Sequence, residues 1–229
     1  MPVHTPPIAN RLLATLPRED YRRLHINLDL VTLTFGEVLY ESAGPIRYVY
    51  FPNEALVSLL TPVEGHLALE VGLVGREGMV GTPLAVGIGD SPLRALAQGS
   101  GTAMRMTASH FHKALRDSPS LQRAVYRYIQ VLMAQITQIA ACNRFHMVGE
   151  RLARRLLMTD DRAPSSTFHL THEFLANILG VRRVGVTKAA HALQQQQLIG
   201  YNRGEITILD RNGLEAAACS CYKTIGNAA

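Results

Sequence analysis

The chain of 229 residues has no tryptophan and only three cysteines, Cys142, Cys219 and Cys221. An odd count excludes a paired disulfide framework and leaves no four-thiolate metal cluster, so reduced thiols are the expectation. The CSC spacing of Cys219 and Cys221 is too tight for the usual CxxC ligand pair. No apolar run reaches the roughly 18 residues of a membrane span, and MPVHTPPIAN lacks the basic and apolar regions of a secretory leader. A cytoplasmic protein with no membrane contact is expected. Sites for chemistry are missing as well. There is no phosphate-cradling glycine loop followed by lysine, no nucleophile with a placed base and no recognisable metal-ligand set, so neither an enzyme nor a cofactor is expected.

What is present is an ordinary globular composition, 47% hydrophobic with a mean hydropathy of +0.06. The length is enough for two compact units. The net charge of +5 is uneven. Residues 1–117 carry ten Lys or Arg against eleven Asp or Glu, whereas residues 151–203 carry eight against three. That basic concentration suits attraction to a phosphate backbone.

It coincides with the most structured motif of the chain. In THEFLANILGVRRVGVTKAAHALQQQQLI, Thr171 stands where a side-chain oxygen caps a helix and Glu173 places an anion in the first turn. Leu175, Ile178 and Leu179 form one apolar stripe, and Gly180 permits a sharp reversal. A second helix follows with Val186, Ala190 and Leu193 facing inward, which leaves Arg183, Val184, Lys188 and His191 facing solvent. The continuation LIGYNRGEITILD alternates about a turn at Asn202, Arg203 and Gly204, as a β-hairpin does. Helix, turn, helix and hairpin together are a winged helix, whose second helix fits a major groove.

Upstream, Leu28 to Met106 contains short apolar or alternating runs (LVTLTF, YVYFP, ALVSLLTPV, LALEVGLV, TAMRM) broken by Gly, Pro and Asn, the pattern of a β-roll. Residues 8–26 read as a helical entry broken at Pro17, and 107–117 as a short helix in which His110 and His112 are surface histidines. After Pro119, the positions Leu121, Val125, Tyr128, Leu132, Gln135 and Ile139 step by four and three, and Val131, Ile136 and Ala140 widen the apolar face. The stripe fits either a seam between two subunits or a core helix within one; the seam is favoured, since helix-turn-helix proteins usually read two half-sites as dimers. FHMVGERLARRLLMTDD opens a fresh amphipathic helix with Leu152, Leu156 and Leu157 on one side and Arg151, Arg154 and Arg155 on others. APSST, Ala163 to Thr167, reads as a loop, and Asp210 caps a final helix through Leu214 to Ala218. The expected class is α+β in three parts: a roll over 1–117, a dimerisation helix and hinge over 118–145, and a winged helix over 146–229.

In that order these parts resemble the Crp/Fnr family of bacterial transcription regulators across essentially the whole chain. The match is sharpest in LxxEFLAxxLGVRRxxVT, from Leu170 to Thr187, and in NRFHMVGERLARRLL. The resemblance implies a homodimeric, sequence-specific regulator that binds a near-palindromic duplex DNA operator and contacts RNA polymerase. It puts base reading on Arg183, Val184 and Lys188, and backbone contacts on Thr171, Glu173, Arg182, Thr187, His191 and Arg203. Val184 departs from the glutamate of well-known members; it cannot accept from cytosine and would pack on a thymine methyl. Leu121, Val125, Tyr128, Leu132 and Ile139 fall on the dimer helix. The roll resembles a cyclic-nucleotide-binding domain with a degenerate cassette, REGMVGTPLAVGIGDSPLRALAQGSG. Arg94 falls at the phosphate arginine, Ala95 at its hydroxyl partner, and Met79, after Gly78, at the ribose glutamate. An unknown small anionic effector other than cAMP is the implication. Two alternatives stay open: a receptor whose winged helix binds protein, and a regulator whose roll senses nothing.

Overall fold

A computed structural model describes residues 8–226 apart from Gly65 and Pro164. Two short helices lead in, α1 (Arg11–Ala14) and α2 (Arg18–His25), separated at Pro17. Asn10 sets their position: its side-chain oxygen accepts from Leu13 N at 3.0 Å and its amide donates to the carbonyls of Pro52 and Gly78. The roll follows, with β1 (Asp29–Leu33), β2 (Val38–Tyr40), β3 (Tyr48–Pro52), β4 (Val57–Val63), β5 (His66–Val74), a 3₁₀ turn at Thr82–Val86, β6 (Arg94–Ala97) and β7 (Gly101–Thr107). They form two antiparallel sheets, ordered β1-β7-β3 and β2-β6-β4-β5. Strands β2 and β6 are too short, at VLY and RALA, to stand out as runs in the sequence.

Helix α3 (Ala108–Asp117) leads to α4 (Pro119–Phe145), a helix of 27 residues. Ser118 starts it by accepting from Leu121 N, with Pro119 in the first turn, where its missing N–H is no loss. The structure reverses the sequence reading of its stripe. Leu121, Val125, Tyr128, Leu132 and Ile139 are buried within the single chain, the first four in the core of the roll, and are unavailable to a subunit seam. A spacing of three and four places side chains on one face but does not say what covers that face. Even its polar member is used internally: Gln135 Oε1 accepts from Leu73 N in β5 at 2.6 Å. A flanking stripe leaves Tyr126 and Met133 exposed, with Ile129 and Ile136 half-buried beside them against the edge of the roll.

The C-terminal elements are α5 (Val148–Asp160), β8 (Thr167–His169), α6 (His172–Leu179), α7 (Arg183–Gln195), β9 (Ile199–Asn202), β10 (Glu205–Ile208), α8 (Arg211–Ala217) and α9 (Cys221–Gly226). Thr167 is the first residue of a strand, not the end of a loop, and β8 completes a sheet ordered β8-β10-β9. Leu152, Leu156, Leu175, Ile178, Val186 and Leu193 build a second core, which Leu60 of β4 also enters.

The three arginines of α5, off the leucine side of the helix, are buried as well. Arg155 is 1% exposed and reaches into the roll. Its Nε donates to Glu70 Oε1 at 2.6 Å, its second terminal nitrogen donates to Glu70 Oε2 at 3.1 Å and to Gln98 Oε1, and its first donates to Thr159. Glu70 also accepts from Ser58 at 2.6 Å and from Gln98 at 2.8 Å. Removing one member of such a pair strands a buried charge, at a cost of about 3–5 kcal/mol. Arg155→Met is therefore expected to lower unfolding stability by that order in urea titration, and Arg155→Met combined with Glu70→Leu to lose less than Arg155→Met alone. A single variant as stable as the parent would contradict the burial of this pair.

Candidate nucleic-acid interface

The interface is assembled from two helix starts and one turn. Thr171 caps α6 by accepting from Phe174 N at 3.1 Å, and Glu173 stands exposed in the first turn. Gly180 ends α6 in the left-handed region, φ +62°, where a side chain would be strained; a Cβ there would also stand 2.8 Å from Leu69 of β5. After that reversal, α7 starts at Arg183 with Arg182 as the residue before it. Val186, Ala190 and Leu193 are buried, and Arg182, Arg183, Val184, Thr187, Lys188 and His191 are exposed. Val184 is 64% exposed, an apolar side chain held out beside two arginines where a groove-filling contact would need it.

Thr187 is only partly free. Its hydroxyl donates to the Arg183 carbonyl at 3.1 Å and lies 3.2 Å from His172 Nδ1. The hairpin β9–β10 turns through Arg203, φ +46°, and Gly204, φ +91°. Positive φ at both central residues is the tight turn that matches strand twist, and it leaves Arg203 exposed at the tip.

Charge is distributed more selectively than the sequence count suggests. Of the eight basic residues in 151–203, Arg151, Arg154, Arg155 and Arg162 are buried. Arg155 and Arg162 pair with Glu70 and Glu77, each at a closest approach of 2.6–2.7 Å. The other four, Arg182, Arg183, Lys188 and Arg203, are exposed on α7 and the hairpin. Together with Val184 they can engage both phosphates and base edges.

His172 is the residue that spacing alone did not single out. Its ring stacks on Tyr201 at 4.1 Å and 17°, and Nδ1 meets Thr187, so one side chain joins α6, α7 and the hairpin. Its partners lie 15 and 29 positions away, beyond any local pattern.

The cassette of the roll is not arranged as the resemblance implies. Met79 is fully buried in the core, and a Cβ on Gly78 would lie 2.0 Å from the Tyr128 ring. Arg94 Nε pairs with Glu41 at 3.2 Å at the surface. Met79 is thus turned into the core, whereas Arg94 keeps part of its side chain at the surface. A cavity of about 470 Å³ lies elsewhere, between α1 and α4, lined by Arg11, Glu77, Arg123, Arg127 and Tyr128 among others. Cys142, Cys219 and Cys221, which gave no ligand set as a spacing, come together with His146 in the fold.

Residues 150–217 match the Crp-like helix-turn-helix domain family. Among solved structures, FixK2 from Bradyrhizobium japonicum is similar with a TM-score of 0.70 at 17% identity, over 84% of this chain and 98% of that one. A CRP-family transcriptional regulator from Thermus thermophilus is similar with a TM-score of 0.70 at 20% identity, over 82% and 96%. The c-di-GMP responsive global regulator CLP from Xanthomonas campestris gives 0.67 at 14% identity, over 84% and 99%. No protein of curated function matches the sequence. Among the described residues no helix is long and apolar enough to cross a membrane.

Burial, and then the charge of Arg183, hold the His172 imidazole below its ordinary pKa of 6.5. The folded form therefore binds this proton less tightly than the unfolded chain. Stability present above pH 6.5 is lost as pH falls through 6.5, until the folded ring itself protonates. Nuclear magnetic resonance titration is expected to place His172 below 6.5, with Arg183→Gln moving it upward. A value above 6.5 would contradict the stacked, half-buried placement.

Proposed function

Taking residues 150–217 as a Crp-like helix-turn-helix domain carried on the fold of the Crp/Fnr regulators, we propose that this chain is a homodimeric, sequence-specific DNA-binding transcription regulator. The observation that carries the reading is the concentration of Arg182, Arg183, Lys188 and Arg203 on the exposed side of α7 and its hairpin, with the other four arginines of the region buried. Arg183 and Lys188 read bases and Val184 packs on a thymine methyl; Arg182 and Arg203 hold phosphates. Thr171 and Glu173 contribute through the amides at the start of α6, where the helix end favours an anion; the Glu173 carboxylate itself cannot donate. Thr187 and His191 flank the reading face.

The second subunit docks on the outer face of α4. Tyr126, Ile129, Met133, Ile136 and Ala140 step by three and four along it, a heptad seam at the edge of the roll's cover, where Tyr126, Met133 and Ala140 are exposed and Ile129 and Ile136 also pack on the roll. The dimer then presents two recognition helices to half-sites about one helical turn, roughly 34 Å, apart. RNA polymerase is the partner that the regulator role requires. The roll does not take cAMP, because Met79 supplies no carboxylate for the ribose hydroxyl and its side chain is buried in the core. A small anionic effector would draw on Arg94, which keeps part of its side chain at the surface, and not on the buried Met79.

Two measurements test this reading. Operator selection from random duplexes should yield a near-palindrome, and Arg183→Ala should cost about 1–3 kcal/mol on it and relax one base pair per half-site. Arg203→Ala should weaken all duplexes alike and flatten the salt dependence. An unchanged selected site in Arg183→Ala would mean that α7 does not read DNA. For assembly, Met133→Asp should sediment as a folded monomer, whereas Leu132→Asp should disrupt the roll. A dimeric Met133→Asp would move the seam elsewhere.

A further inference from the structure

Four ligand atoms converge where the end of α4 meets the C-terminal helices. Cys142 and His146 lie one helical turn apart at that end; Cys219 and Cys221 straddle the turn from α8 into α9. Their sulfur and ring-nitrogen atoms all lie within 4.8 Å of one another. Cys142 Sγ is 3.4 Å from Cys219 Sγ, and Cys221 Sγ is 3.4 Å from His146 Nδ1. A tetrahedral zinc ion with bonds of about 2.3 Å to sulfur and 2.0–2.1 Å to nitrogen spaces its ligands by about 3.5–3.8 Å, close to what is found. The sulfur pair is too far apart for a disulfide, whose bond is about 2.05 Å, and the group is too compact to span several irons of a cluster.

The surroundings suit an anionic centre. The three thiols are buried and His146 is half-buried. Gln138 Nε2 donates to Cys221 Sγ at 3.0 Å, the kind of outer contact that fixes a ligand. Arg151 and Arg154 are buried close enough for their charges and those of the cysteines to act on each other, and the Nε of each has no hydrogen-bond partner. Three thiolates and one neutral imidazole around a divalent ion leave a net charge of about −1, which such guanidinium groups would offset.

We propose that Cys142, His146, Cys219 and Cys221 form a closed Cys₃His site for a single zinc ion, clamping the end of α4 to the C-terminal helices of the winged-helix unit. All four positions are filled by the protein, so the ion has no open face for a reacting ligand and its role is structural. It joins positions 142 and 221 across the only covalent link between α4 and α5, the short segment His146–Met147. Binding requires the thiols to lose their protons, so uptake releases protons and adds to folding stability.

The test uses the full chain, reduced and stripped with a chelator, then titrated with Co²⁺. Thiolate-to-cobalt charge-transfer and strong tetrahedral d–d bands should grow to saturation at one ion per chain and bleach on addition of Zn²⁺. Both ions should raise the melting temperature. His146→Ala should weaken the bands and Cys221→Ser should shift and weaken them, with far-ultraviolet circular dichroism unchanged. Should a variant fail to fold, alkylation of the wild-type chain decides: Zn²⁺ should protect Cys142, Cys219 and Cys221 together from iodoacetamide. Absence of the cobalt bands in the reduced wild-type chain, or equal alkylation of the three thiols with and without Zn²⁺, would overturn the proposal.

Discussion

The pair Arg155–Glu70 is the constraint on which the rest of this architecture turns, because it is a buried ion pair between α5 and strand β5 of the roll, 85 positions apart in the chain. A guanidinium so deep is tolerable only where its donors are satisfied, and here Glu70, Gln98 and Thr159 provide acceptors from the roll and from α5 itself. Few other placements of α5 on the roll would meet those requirements. Apolar contacts alone would allow sliding; a directional network does not. Leu60 then enters the core of the winged helix, and Gly180 comes against Leu69, so the turn of the helix-turn-helix rests on β5. The direction in which α7 points is consequently set by the roll.

Helix α4 serves two masters by the same periodicity. One stripe, from Leu121 to Ile139, closes the cores on the chain's own side, and a second, offset around the helix, presents Tyr126 and Met133 to solvent. Both repeat every three and four residues, so the sequence identifies the stripes but not their partners. The stronger stripe belongs to the monomer because the roll offers a deep apolar surface within the same chain, which needs no second molecule.

Legibility in the sequence follows the range of the interactions. The helix-turn-helix is readable from Thr171, Gly180 and the inward spacing of Val186, Ala190 and Leu193, all local signals of capping, turn and period. So are the longer strands of the roll. Strands β2, β6 and β8, of three or four residues each, carry too few side chains for a period to show. The burial of Arg151 and Arg155 is hidden because their acceptors, the Leu179 carbonyl and Glu70, come from remote segments, and α5 in isolation shows only arginines beside its leucine stripe. His172 and the gathering of Cys142, His146, Cys219 and Cys221 are long-range facts of the same kind. A spacing can be legible and its meaning still reside in the fold, as CSC shows.

Whether α7 and its hairpin contact duplex DNA as a two-fold pair is the central question for this molecule. Hydroxyl-radical footprinting of the full chain on its selected duplex answers it at the level of single sugars. Two protected patches on one face are expected, about one helical turn apart, with weaker flanking protection where the Arg203 hairpins reach the backbone. A single patch, or protection independent of sequence, would contradict a two-fold reading complex.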